Sequence, residues 1–284
     1  MISKFRIGVL VIILNFFASV AMIWGQDNPS LLQMAVPSLN IAPDARGGGM
    51  GDMGAATLPD INSQYWNAAK YAFMGSKAGV SLSYTPWLRK LVNDVALVNM
   101  TGYYKLGNSD LQAISASLRY FSLGEVNIWE NIGDVPYGLN PYEMAFDVAY
   151  SRKLSESYSM AVTLRYIRSD MGTDQNDESN AGNAFSADIS GYLEKYVLMG
   201  NAEALWSFGF NLSNIGSKIS YDGGNTNQYL PAKLTLGTGL LYPIDDYNQI
   251  GVYLDLNKYM VPYAPQKEEG ETDADYQTRV DDYK

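Results

Sequence analysis

The chain has 284 residues with 20 basic and 30 acidic side chains, a formal net charge of −10, and neither cysteine nor histidine. Without cysteine, disulfides, thiolate metal sites, cysteine nucleophiles and a lipoprotein-type lipid anchor are excluded; without histidine, so are Ser-His-Asp catalysis, histidine-ligated zinc and the ordinary near-neutral proton shuttle. An acidic chain without a basic stripe is also a poor nucleic-acid binder.

Residues 1–25 open with basic Lys4 and Arg6, continue through an apolar core at 7–20 broken only by Asn15, and end among small residues at Ala18, Ser19, Ala21 and Gly25. This reads as a secretory signal peptide cleaved near Ala21 or Gly25. A retained anchor is the rival reading, because the apolar run approaches spanning length; the small residues and the polar turn behind them favour cleavage. Removing Lys4 and Arg6 leaves 18 basic and 30 acidic residues, a charge of −12. No later segment reaches helical spanning length, so later membrane embedding is expected to be by strands.

Residues 26–78 form an N-terminal arm followed by a glycine-rich segment, IAPDARGGGMGDMGAATLPDINSQYWNAAKYAFM over 41–74. That segment has neither helical nor strand period. Its glycines let the backbone turn where side chains clash, and Pro43 and Pro59 fix φ without offering an N–H. It is expected to be an irregular insert whose backbone is satisfied by tertiary contacts. Asp44, Arg46, Gly49, Gly51, Asp52, Trp66 and Asn67 are its candidate plug or partner-contact residues. Asp44 and Arg46 are expected to pair with each other or with lumenal charges, and Trp66 and Asn67 to anchor the insert against a wall.

From residue 79 onward, nine runs alternate apolar and polar residues, around 80–84, 96–104, 113–120, 144–151, 159–166, 185–193, 206–213, 234–240 and 250–256. Period-2 alternation predicts strands with one apolar and one polar face. A soluble sandwich shares that pattern, but several runs reach the length of tilted membrane strands. Long connections at 121–143, 170–182 and 216–230 also recur between much shorter turns, an asymmetry of outer-membrane barrels. The 22 Tyr, 9 Phe and 5 Trp suit interfacial girdles. Arg119, Asp147, Arg165 and Asp188 lie on the polar face and are expected to form lumenal ion pairs that hold the insert.

Three constellations fail on context. Gly49-Met50-Gly51-Asp52-Met53-Gly54 has the dinucleotide spacing but neither the preceding strand nor the following helix. Asp174, Asn176, Asp177 and Glu178 are acidic, yet an EF-hand starting at Asp174 would need Gly and Glu where Ser179 and Phe185 stand. Glu125 and Glu130 form a carboxylate pair with no supporting glycosidase signature.

Asp44-Ala45-Arg46, the glycine run with Met50-Gly51-Asp52, Asn62-Ser63, and Trp66-Asn67 ahead of Ala69-Lys70 resemble the N-terminal signature of the PorV (LptO) family. These are type IX secretion outer-membrane barrels of the FadL-like superfamily, and the PorQ family has a related N-terminal pattern. The resemblance implies an all-β fold: a transmembrane antiparallel β-barrel with a glycine-rich hatch, fourteen strands in the full protein, no cofactor and no catalysis. Nine strands and a C-terminus with a capping-box-like Thr272-Asp273-Ala274-Asp275 lead to the expectation of an N-terminal fragment, with barrel residues at 79–284. The implied partners are a large translocon barrel of the SprA/Sov type, cargo proteins with a C-terminal signal domain, the PorU sortase and other attachment-complex subunits, and outer-membrane lipid or lipopolysaccharide. The alternative is a FadL-like transporter of hydrophobic small molecules, which a lumenal apolar pocket at Met50 and Met53 would favour.

Overall fold

A computed structural model of the chain describes residues 32–87, 89–90, 94–107, 110–128, 135–172, 181–200, 202–224, 226–267 and 270–283. The signal-peptide reading, the acidic stretch 174–178 and Glu130 lie outside them. The strands are β1 (Ala78–Pro86), β2 (Val95–Leu106), β3 (Gln112–Leu123), β4 (Val126–Ile128), β5 (Tyr137–Leu139), β6 (Tyr142–Lys153), β7 (Tyr158–Asp170), β8 (Gly182–Met199), β9 (Ala202–Gly216), β10 (Lys233–Pro243) and β11 (Gln249–Tyr259). All but β4 and β5 form one nine-stranded antiparallel sheet in chain order, the nine runs seen as alternation in the sequence. β4 and β5 make a separate hairpin inside the connection from β3 to β6; three residues each are too few to show a period. Among the described residues the sheet is an open arc with β1 and β11 at its edges.

The sheet is polar where it is buried and apolar where it is exposed. On β3, Ser115, Ser117 and Arg119 are buried, while Ile114, Leu118 and Tyr120 are exposed. On β7 the contrast is sharpest between neighbours, with Leu164 65% exposed and Arg165 7%. A soluble sheet puts its apolar row inside. Exposing this much contiguous apolar surface to water would be costly, so the outer face matches the lipid-facing wall of a barrel. Strand length fits the same reading: β7 has 13 residues and β8 has 18, where about 9–11 tilted residues cross a bilayer. No helix among the described residues is long and apolar enough to cross.

Register is pinned by the charges. Arg165 lies opposite Asp147 on β6 and Ser186 on β8, and a one-residue slip would turn Arg165 outward. Because the sheet is a meander, connections alternate between rims. The turns 107–111, 154–157, 200–201 and 244–248 fall on one rim, and the longer connections 87–94, 124–141, 171–181 and 217–232 on the other.

The N-terminal segment covers the polar face. It contains a 3-10 turn at Pro37–Asn40, α1 (Ala45–Gly49), α2 (Ser63–Trp66) and a 3-10 helix at Ala68–Phe73. Ala35, Val36 and Leu39 pack with Ala145, Ile167, Ala184, Ile219 and Leu230 at the long-connection rim. Ala68, Ala69 and Tyr71 pack with Tyr103, Ala113, Ala149, Ala161 and Tyr192 towards the short-turn rim. The segment therefore runs from rim to rim as a plug, with an apolar cap at each end and polar residues between.

Residues 263–283 belong to a second compact unit containing α3 (Asp273–Tyr283). Thr272 Oγ1 accepts the Asp275 N–H at 3.2 Å and donates to its carboxylate at 2.7 Å, which makes the reciprocal cap legible in the sequence.

Candidate functional site

The plug is built around Trp66. Its Nε1–H donates to Asp44 Oδ1 at 2.8 Å, while Asp44 Oδ2 accepts the Gly47 N–H at 2.7 Å and so caps α1. The indole lies between Gly47 and Gly54, where an added Cβ would stand 2.4 Å and 2.2 Å from ring atoms. Those glycines are therefore dictated by the ring. Gly51 and Asp52 have positive φ, 81° and 58°, as the chain turns away from α1. Within the stretch expected to be irregular, Ala45–Gly49 is thus a helical turn, because Asp44 supplies the cap that sequence period could not reveal. Asp44 and Arg46 do not pair: Arg46 reaches Asp60 at 2.7 Å, a partly exposed bridge worth little. Gly49 has open space around it, and Trp66, which packs on Gly47 and Gly54 within the plug, also borders the central cavity that wall residues Arg119 and Asp147 line.

Asn67 is fully buried and joins three segments. Its amide nitrogen donates to Ala55 O and to Gly191 O of β8, both at 2.9 Å, and its Oδ1 accepts the Ala69 N–H at 3.1 Å. Asp255 of β11 accepts the Gly54 and Ala55 N–H groups at 2.8 and 3.0 Å. Ser207 of β9 donates to Ala56 O at 2.6 Å. Residues 54–56 lie directly on Gly209 and Gly237, which face each other on β9 and β10. A Cβ on Gly209 would come 1.9 Å from Ala55 O, so only a bare backbone admits this approach.

Lys70 is also fully buried and donates to Gly54 O at 2.8 Å and Thr57 Oγ1 at 3.1 Å. Its two partners are neutral oxygens, and burial pushes its ammonium down to about 8. Tyr71 donates to Ile61 O at 2.7 Å, accepts the Gln64 N–H at 2.9 Å, and stacks on Tyr103 with centroids 4.9 Å apart. Burial raises the Tyr71 hydroxyl well above the ordinary phenol value.

The middle layer is charged. Arg165 bridges Asp147 at 2.7 Å and Asp188 at 2.9 Å, and also donates to Asn214 Oδ1. A register irregularity beside Asp188 and the positive φ of Asn214 bring the Asn214 N–H onto Asp188 Oδ1 at 2.7 Å. Of the four inward charges expected to hold the insert, these three pair across the strands. Only Arg119 touches the plug, donating to Ser38 O at 2.8 Å and lying 4.5 Å over the Tyr65 ring. A cavity of about 30 Å³ remains between Asp52, Tyr65, Arg119, Arg165, Asp188 and Lys233. That is room for water, not for a metabolite. Met50 and Met53 do not line it.

At the long-connection rim, the Ala35 N–H donates to Tyr229 O at 2.9 Å. The Ser38 N–H donates to Glu143 Oε2 at 3.0 Å. Val36 is left-handed, φ 52° and ψ 57°, a conformation that costs a β-branched residue on the order of 1–3 kcal/mol. Sequence reading missed Glu143, although it shares the inward face of β6 with Asp147. It also missed Lys70 as a buried donor and Asp255, whose partners lie about 200 residues away in the chain.

A family model described as type IX secretion system protein PorV matches residues 25–267. No curated protein matches the chain.

Proposed function

The chain belongs to the PorV family of type IX secretion system proteins, and we propose that it is a non-catalytic outer-membrane β-barrel that receives cargo leaving a large SprA/Sov-type translocon. On this reading it binds the cargo's C-terminal signal domain and hands it to the PorU sortase and its attachment complex. The observation that supports a docking role over a conduit is the filled lumen. The plug runs from one apolar cap to the other and leaves about 30 Å³ in the charged layer. Besides the outer wall, the strands leave a rim of longer connections, 124–141, 171–181 and 217–232, and that rim faces outward in such barrels. Deleting these connections one at a time should abolish cargo capture while outer-membrane insertion persists; full capture by every deletion variant would overturn the proposal.

One observation favours the transporter alternative. A cleft of about 870 Å³ lies between the plug and β1, with Ile41, Ala42, Tyr84, Pro86 and Trp87 among its lining residues. Native mass spectrometry of the detergent-extracted protein tests it, and a stoichiometric fatty acid lost in a Tyr84→Asp variant would support it.

A further inference from the structure

At the long-connection rim, both backbone polar groups of one plug residue, Ser38, are held by side chains of the wall and by Ile41 of the plug. The Ser38 N–H is taken by Glu143 Oε2 at 3.0 Å, and Ser38 O accepts from Arg119 at 2.8 Å and from the Ile41 N–H at 3.0 Å. On either side, Val36 and Leu39 fill a pocket formed by Ala145, Ile167, Ala184, Ile219 and Leu230. Contacts of this kind read backbone and apolar bulk, so they tolerate many sequences.

We propose that this is a peptide-binding site which residues 35–39 occupy in cis, and that a segment of a secreted partner making the same turn takes it in their place. Three features separate a replaceable occupant from a permanent one. Val36 sits in the left-handed region, unfavourable for a β-branched side chain, so the resident segment carries a strain that a guest with glycine or asparagine at that position would not. Glu143 is 1% exposed, and its Oε1 has no hydrogen-bond partner among the described residues, so the wall offers an acceptor the resident leaves unused. The remainder of the plug is fastened separately, through Asn67 to Gly191, Asp255 to Gly54 and Ala55, and Ser207 to Ala56. Residues 35–39 can therefore leave while residues 54–71 stay. The site itself is argued from this geometry; that its guest is a secreted protein rests on the secretion reading.

The absence of cysteine allows a clean test in the full chain. A Leu39→Cys variant in detergent is labelled with a maleimide, with and without the synthetic peptide QMAVPSLNI, residues 33–41. A tethered segment competes at an effective concentration of order mM, so about 5 mM peptide should speed labelling at least about threefold. The same peptide N-methylated at its serine has no N–H for Glu143 and should have no effect. An Ala35→Cys reporter should respond like Leu39→Cys, and an Ala69→Cys reporter at the opposite cap should not respond. An unchanged rate at both rim positions, equal effects of the two peptides, or parallel labelling at Ala69→Cys would overturn the proposal. Peptide displacement together with loop-deletion variants that all retain cargo would sink the secretion reading and leave the site standing.

Discussion

Trp66 and Gly54 give the most direct test of how the plug is packed. A Cβ on Gly54 would lie 2.2, 2.3 and 2.6 Å from Trp66 Cγ, Cδ2 and Cβ, near the stem of the side chain where no rotation clears it. The indole is pinned at its other end by the 2.8 Å bond to Asp44 and bounded by Gly47. Gly54→Ala should therefore cost about 1–3 kcal/mol, as overpacking does. Trp66→Gly should cost about 3–4 kcal/mol: the lower end for deleting a large ring, because Trp66 is only half-buried, with up to about 1 kcal/mol for glycine at the end of α2. In the Trp66→Gly background Cβ, Cγ and Cδ2 are all gone and with them the clash, so Gly54→Ala should cost close to nothing and the pair should couple by nearly the whole single-variant cost. Guanidinium unfolding in detergent micelles, followed by far-ultraviolet circular dichroism, measures all four corners of the cycle. Gly49→Ala is the control: nothing stands within 4 Å of its Cβ, and the change should be neutral or slightly stabilising. Equal costs for Gly54→Ala in the two backgrounds would refute the packing argument.

Arg165→Met leaves Asp147 and Asp188 buried without their cation and should cost about 3–5 kcal/mol, read as loss of the heat-resistant folded band on electrophoresis; Arg165→Lys, which cannot bridge both carboxylates as a planar fork, should fall between. Asp255→Ala strands the Gly54 and Ala55 N–H groups and should destabilise by about 2–3 kcal/mol in the same unfolding assay. Lys70 gives a pH dependence with a defined sign. Its folded value, about 8, lies below the ordinary lysine value of about 10.4, so between these limits the unfolded chain holds the extra proton and stability rises with pH. From pH 7.5 to 9.5 the native chain should gain roughly 2 kcal/mol more than Lys70→Met; an equal pH dependence in the two would contradict the burial argument.

What could be read from the sequence was what local period encodes. Each of the nine strands carries its own alternation, and once Ile114 and Leu118 are placed outward, Ser115, Ser117 and Arg119 must point inward. The reciprocal cap at Thr272 and Asp275 is likewise a matter of three residues. What could not be read depends on contacts across the chain. Asp255 meets Gly54 from 201 residues away, and Asn67 meets Gly191 from 124. The run Ala68-Ala69-Lys70-Tyr71-Ala72 does not by itself bury Lys70, since a lysine ordinarily reaches solvent even from apolar surroundings. Gly47 and Gly54 looked like permissive turn residues, whereas the ring that requires them follows at Trp66 only after the chain folds back. The charged layer fell between these cases: its residues were visible as inward-facing, but who pairs with whom depended on register and on the irregularity beside Asp188.

The measurement that bears most directly on the proposed role is affinity purification of the tagged full-length protein from outer membranes, with the co-purifying proteins identified by mass spectrometry. The account predicts recovery of a very large translocon barrel together with several secreted proteins that share one C-terminal domain. Recovery of the barrel alone, carrying bound lipid, would contradict it.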